Sequence, residues 1–169
     1  DRPADAKKVL ARLGAAGERN GTVQHALAEL RAGRMEQAIK ELKEAAAREP
    51  GNPAIVGPLV GALAEARRFP EALAVADRLG RNPGQRGAAL IYRGNALLLQ
   101  RKVAEAKTEF DKAVELEPGN ARARLVRANF LIATQKYDAA AQDLRAILAA
   151  DPKNVDARIK IAQIAALQG

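Results

Sequence analysis

Glu49-Pro50-Gly51-Asn52, Glu117-Pro118-Gly119-Asn120 and Asp151-Pro152-Lys153-Asn154 are three forms of one short segment. Pro118 and Pro152 lie 34 residues apart, and Pro50 and Pro118 lie 68 apart, twice that interval. A fourth form, Asn82-Pro83-Gly84, falls one position early. Self-similarity at this period marks an array of supersecondary units, each too small to bury its apolar face alone. Asn52, Asn120 and Asn154 are placed as N-caps, whose side-chain oxygen accepts from the first unpaired helix N–H groups. Helices are therefore predicted to begin just after each of them.

Setting the proline as position 32 brings the rest of the chain into register. Position 20 reads Ala38, Ala72, Ala106 and Ala140, and position 8 reads Ala26, Val60, Gly94 and Ala128. Position 24 reads Leu42, Ala76, Phe110 and Leu144, and position 27 reads Ala45, Leu79, Ala113 and Ile147. Position 17 reads Met35, Phe69, Val103 and Tyr137. Small residues recur where two helices of a hairpin must touch, and larger ones where a hairpin meets its neighbour. The apolar residues of 88–100 follow helical spacing. Pro70 suits the first turn of a helix, where its missing N–H costs little.

Composition narrows the class of function. Hydrophobic residues are 48% of the 169, mostly Ala and Leu, and aromatics only 3%. That mix favours closely packed helices and argues against a β-rich fold. There is no cysteine, which excludes disulfides, thiolate catalysis and cysteine metal sites. The net charge of +8 draws polyanions, but the charges are interspersed and lack the basic run with aromatics that nucleic-acid binding would want. No apolar run is long enough to span a bilayer. No phosphate loop, dinucleotide motif, metal constellation or nucleophile setting is present, so no enzyme activity and no cofactor is expected.

Gly94, Leu97, Ala106, Phe110, Ala113 and Pro118 together resemble the tetratricopeptide signature, and the likeness extends over about residues 19–169. The resemblance implies an all-α fold, an α-solenoid wound as a right-handed superhelix of helix-turn-helix repeats. Full repeats are expected at 19–52, 53–86 (irregular), 87–120 and 121–154. Residues 1–18 read as a partial helix of a preceding repeat, and 155–169 as the first helix of a fifth. More loosely, segments such as Arg93-Gly94-Asn95-Ala96-Leu97-Leu98 resemble tetratricopeptide lipoproteins of bacterial PEP-CTERM/exosortase systems. That likeness implies a periplasmic or envelope-associated protein linked to exopolysaccharide production or protein sorting, with a cytoplasmic location as the alternative.

The frame makes further expectations. Positions 7 and 23 should meet across each hairpin, pairing His25 with Glu41, Leu59 with Val75, Arg93 with Glu109 and Arg127 with Asp143. This absorbs His25, the only histidine, into structure. Position 16 is basic throughout, as Arg34, Arg68, Lys102 and Lys136. These are either a basic ridge for an acidic polymer or cations complementing the C-terminal end of the preceding helix. Gly57-Pro58 interrupts the second repeat's first helix, as a kink or as a bare floor or hinge.

In the family the first helix of each repeat lines an inner groove. The resemblance thereby implies Gln24, Tyr92, Asn95, Arg122, Leu125, Asn129, Lys160 and Gln163 as contact residues, with Asn20 and Ile91 beside them. Asn95, Asn129 and Gln163 share position 9, where side-chain amides can pair with an extended peptide backbone. Tyr92 is the expected aromatic anchor and Arg122 a carboxylate contact. Position 5 carries no lysine, unlike family members that clamp a C-terminal carboxylate. The expected partner is a protein or peptide segment. An acidic polysaccharide is the alternative, and end-to-end self-association is open.

Overall fold

The computed structural model describes residues 21–168. Within them the chain is helical: α1 over 21–31, α2 (Met35–Arg48), α3 (Pro53–Glu65), α4 (Phe69–Gly80), α5 (Arg86–Leu99), α6 (Val103–Leu116), α7 (Ala121–Ala133), α8 (Tyr137–Ala150) and α9 (Val155–Gln168). One 3₁₀ turn, Pro83–Gln85, precedes α5. The expected partial helix over 1–18 and the groove residue Asn20 lie outside the described residues.

Two turns alternate along the chain, and each has a physical cause. The acid–Pro–x–Asn turn joins one hairpin to the next. Asn120 Oδ1 accepts from the N–H groups of Arg122 (2.9 Å) and Ala123 (3.1 Å), while its Nδ2 donates to Glu117 (2.5 Å). Asn52 repeats this with Ala54 and Glu49, and Asn154 with Ala157 and Asp151. The acid thus orients the amide so that its oxygen faces the helix and caps it.

The second turn lies inside each hairpin. Gly33, Arg67, Arg101 and Gln135 adopt φ of 77°, 60°, 64° and 59°. The residue after each, Arg34, Arg68, Lys102 or Lys136, donates its N–H five residues back, to Glu29, Leu63, Leu97 or Leu131. This is a Schellman motif, which satisfies the last carbonyls of the first helix and reverses the chain.

Two compact units divide at Leu79/Gly80, just before the irregular Asn82-Pro83-Gly84. In the first, Ala38, Ala72, Ala76, Leu42, Leu63 and Leu79 are fully buried. α3 runs unbroken through Pro58. In the second, Phe110 and Leu144 fill the core beside Ala106, Ala113, Ala128 and Ala140. Phe110 lies against Gly94, where an added Cβ would stand 2.8 Å from ring atom Cδ1, and stacks tilted on Phe130 with centroids 5.5 Å apart. Position 17 departs from its expected packing role: Met35, Phe69 and Tyr137 are only half-buried and Val103 is 48% exposed.

Candidate functional site

The three ionisable position 7 to position 23 pairs form as the register predicts. His25 Nδ1 lies 2.8 Å from Glu41, and Arg93 Nε donates to Glu109 at 3.0 Å. Arg127 holds Asp143 through Nε and Nη2, both at 2.7 Å, and Arg124 adds a third donor at 2.9 Å. Asp143 is 2% exposed, so its carboxylate exchanges hydration for fixed N–H donors. A further bond from Arg127 to Asp111 (3.1 Å) and from Lys107 to Asp111 (2.5 Å) extends the network. Leu59 and Val75 line one cavity in the remaining hairpin. Glu41 raises the pKa of His25 above 6.5, by hydrogen bond and by charge.

The position-16 cations sit at the junction of two helices. Each follows the helix C-terminus it was expected to complement and immediately precedes the next helix. Three are spent on carboxylates. Arg34 holds Glu29 through Nε and Nη2, and Lys102 lies 3.4 Å from Glu105. Arg68 holds Glu71 (2.6 Å) and Glu36 (3.1 Å). Lys136 has no carboxylate partner among the described residues, and it lines a cavity with Lys107, Arg124 and Arg127.

The groove residues fall in both units. Gln24, in the first unit, is exposed on α1. In the second, Asn95 on α5 and Asn129 on α7 are exposed and open into one cavity of about 420 Å³. Its apolar lining includes Phe110, Phe130, Val126 and the exposed Val103, which sequence spacing had assigned to packing between hairpins. Tyr92 is 6% exposed, so its ring is not a bare anchor. Arg122 covers it, with the guanidinium 5.5 Å from the ring centroid and Nη2 donating to the hydroxyl at 3.2 Å. Arg122 is itself exposed, Leu125 and Lys160 are half-buried, and Gln163 is exposed on α9. Ile91 is 2% exposed and belongs to the core rather than to the groove, because it lies on the buried side of α5.

Tetratricopeptide-repeat family models match residues 29–91, 92–155 and 131–169. The chain belongs to the tetratricopeptide-repeat superfamily. Its fold is an all-α solenoid of helical hairpins, and its repeats make it a protein-interaction scaffold. It is similar to the crystal structure of a thermophilic tetratricopeptide-repeat protein of Thermus thermophilus, with a TM-score of 0.67 and 22% identity over 86% of this chain and 80% of that one. A tetratricopeptide-repeat protein of Parabacteroides merdae scores 0.56 at 21% identity, over 86% of this chain and 58% of that one. MamA of Desulfovibrio magneticus scores 0.54 at 19% identity, over 89% and 85%. No curated protein matches. No described helix is long and apolar enough to cross a membrane, and the described residues hold no cluster of three or more potential metal ligands.

Proposed function

We propose that the second unit holds an extended peptide segment of a partner protein along α5, α7 and α9. The observation that carries this reading is the cavity shared by Asn95 and Asn129. Two exposed side-chain amides at equivalent repeat positions stand beside an apolar lining of Phe110, Phe130 and Val126. Amides supply both donors and acceptors to a peptide backbone, and the apolar lining takes a side chain. Arg122, pre-organised on Tyr92, offers a further contact to a carboxylate. Gln163, Lys160 and Leu125 extend the same surface.

The proposed setting is a bacterial envelope assembly serving exopolysaccharide production or protein sorting, supported by the likeness to exosortase-system lipoproteins. Fractionation of the native host tests this setting: recovery with the cytoplasm alone would remove it. The alternative, an acidic polymer on the position-16 ridge, is weakened because Arg34, Arg68 and Lys102 already face carboxylates.

The test is a pull-down from envelope extract with the wild type and an Asn95→Ala/Asn129→Ala variant. Both residues are exposed, so the fold survives. At least one partner should be lost from the variant yet persist when ionic strength is raised, because a groove contact of this kind is poorly screened. Equal recovery of every partner by both proteins would sink the groove reading. Loss of all partners in high salt would favour the polyanion.

A further inference from the structure

The hairpin of α3 and α4 breaks the pattern of its neighbours. Where His25/Glu41, Arg93/Glu109 and Arg127/Asp143 join positions 7 and 23 with ionisable side chains, it has Leu59 and Val75. A notch of about 350 Å³ opens between α2, α3 and α4, and its lining is mostly apolar, whereas the corresponding cavity beside α7 and α8 is lined by Lys107, Asp111, Arg124, Arg127 and Asp143. Its floor is Val56 and Leu59, each 1% exposed. Its walls include Ala46, Ala47 and Ala74, whose single methyl groups leave the notch open.

The rim is charged and its charges are unequally engaged. Glu71 receives Lys43 at 2.7 Å on Oε2, and Arg68 on both oxygens at 2.6 and 2.9 Å. Both oxygens of that carboxylate are therefore in use. The Arg78 side chain stands exposed on the same rim, with no hydrogen bond or ion pair among the described residues. Lys43 and Arg78 against Glu71 leave the lining with a surplus positive charge, the sign of the whole chain at +8. A basic partner is repelled there and an acidic one attracted.

We propose that this notch docks an acidic, apolar segment of a partner protein. One aliphatic or aromatic side chain enters between α2 and α4, and a neighbouring Asp or Glu meets Arg78. The volume suits a side chain of that size. A guanidinium, less strongly hydrated than an ammonium, gives up water to a carboxylate at low cost. Burying one Leu-sized side chain is worth roughly ten- to hundredfold in affinity, so it dominates the contact. The site is independent of the Asn95/Asn129 cavity, which belongs to the other unit.

Fluorescence anisotropy tests it with a labelled, end-blocked peptide carrying a central leucine flanked by aspartates. Two controls replace the leucine with serine, or the aspartates with lysines. The serine peptide should bind the wild type about tenfold more weakly or worse. Ala74→Trp, which fills the notch from an exposed wall, should abolish binding while circular dichroism and melting stay unchanged. Arg78→Glu should transfer preference from the aspartate peptide to the lysine peptide. Equal binding of the leucine and serine peptides would overturn the proposal, as would binding that survives both substitutions. Sedimentation of the wild-type chain alone covers a second occupant. A dimer that Ala74→Trp dissolves would overturn the partner segment in favour of a second copy of the chain.

Discussion

Gly94 has no side chain because Phe110 occupies the space. Gly in a helix costs about 1 kcal/mol against Ala, so Gly94→Ala would stabilise the chain if the site were open. It is not open: Phe110 is 1% exposed and packed on Phe130, so the ring can clear an added Cβ only by breaking that packing and moving into the cavity it lines. Overpacking of this kind costs about 1–3 kcal/mol and outweighs the propensity gain. Gly94→Ala is expected to lower the urea midpoint, and a raised midpoint would show that the ring yields. The charged residues make a second prediction. Hydrogen bonds from Arg68 and then Lys43 lower the pKa of Glu71 from 4.5 to about 2. A depressed carboxylate stabilises the fold above its unfolded pKa, and that contribution is lost as pH falls from 4.5 towards 2. The advantage of the wild type over Glu71→Gln in urea should therefore shrink across this window. A constant difference would show that Glu71 acts through packing alone. His25 has the opposite sign, since its raised pKa gives a contribution present below 6.5 and lost as pH rises through the folded value.

At the level of the element, the two turn types were unequally legible in the sequence. The acid–Pro–x–Asn turn announces itself, because proline and an N-cap asparagine each have few roles and here recur together. The left-handed turn inside the hairpins does not. Gly33 alone carries the usual residue, while Arg67, Arg101 and Gln135 hold the same conformation against their side chains. What places them there is the tertiary pairing of two helices, which no local preference reveals. For an L-residue the left-handed region costs about 1–2 kcal/mol, whereas glycine pays about 0.4–1 kcal/mol of extra entropy in the unfolded chain. The Arg101 side chain makes no hydrogen bond or ion pair among the described residues, and its backbone N–H bond to Leu98 survives replacement by glycine, so little else is lost. Arg101→Gly is expected to raise stability by about 0.5–1 kcal/mol. Thermal and urea unfolding measure it, and a fall would mean that the arginine stem packs on the surface. The burial of Tyr92 was illegible for a similar reason: helical spacing places it on a face, but Arg122 from the next hairpin covers it.

At the scale of the whole molecule, the period of 34 was legible throughout, and its single irregularity, Asn82-Pro83-Gly84, lies beside the division into two units. The paired columns were legible as well, because polar faces polar in three hairpins and apolar faces apolar in one. The cavities were not, since each needs side chains from several helices at once. Repeat proteins are held together by terms within repeats and between nearest neighbours. The second unit contains complete examples of both. Gly94, Phe110 and Phe130 lock α5, α6 and α7 together. Arg124, Arg127 and Asp143 lock α7 to α8, and Asn120 caps α7 from within. A fragment of residues 80–169 is therefore expected to fold without the rest of the chain, with a helical circular dichroism spectrum and a cooperative melt. Within that fragment, Asp143→Ala should destabilise by about 1–3 kcal/mol, because Arg124 and Arg127 lose the buried carboxylate they share while Arg127 keeps Asp111. Asn95→Ala/Asn129→Ala, at exposed positions, should leave the melt in place. A fragment with no cooperative transition would show that folding of α5 to α9 depends on contacts from the first unit, and that the two units are one cooperative array.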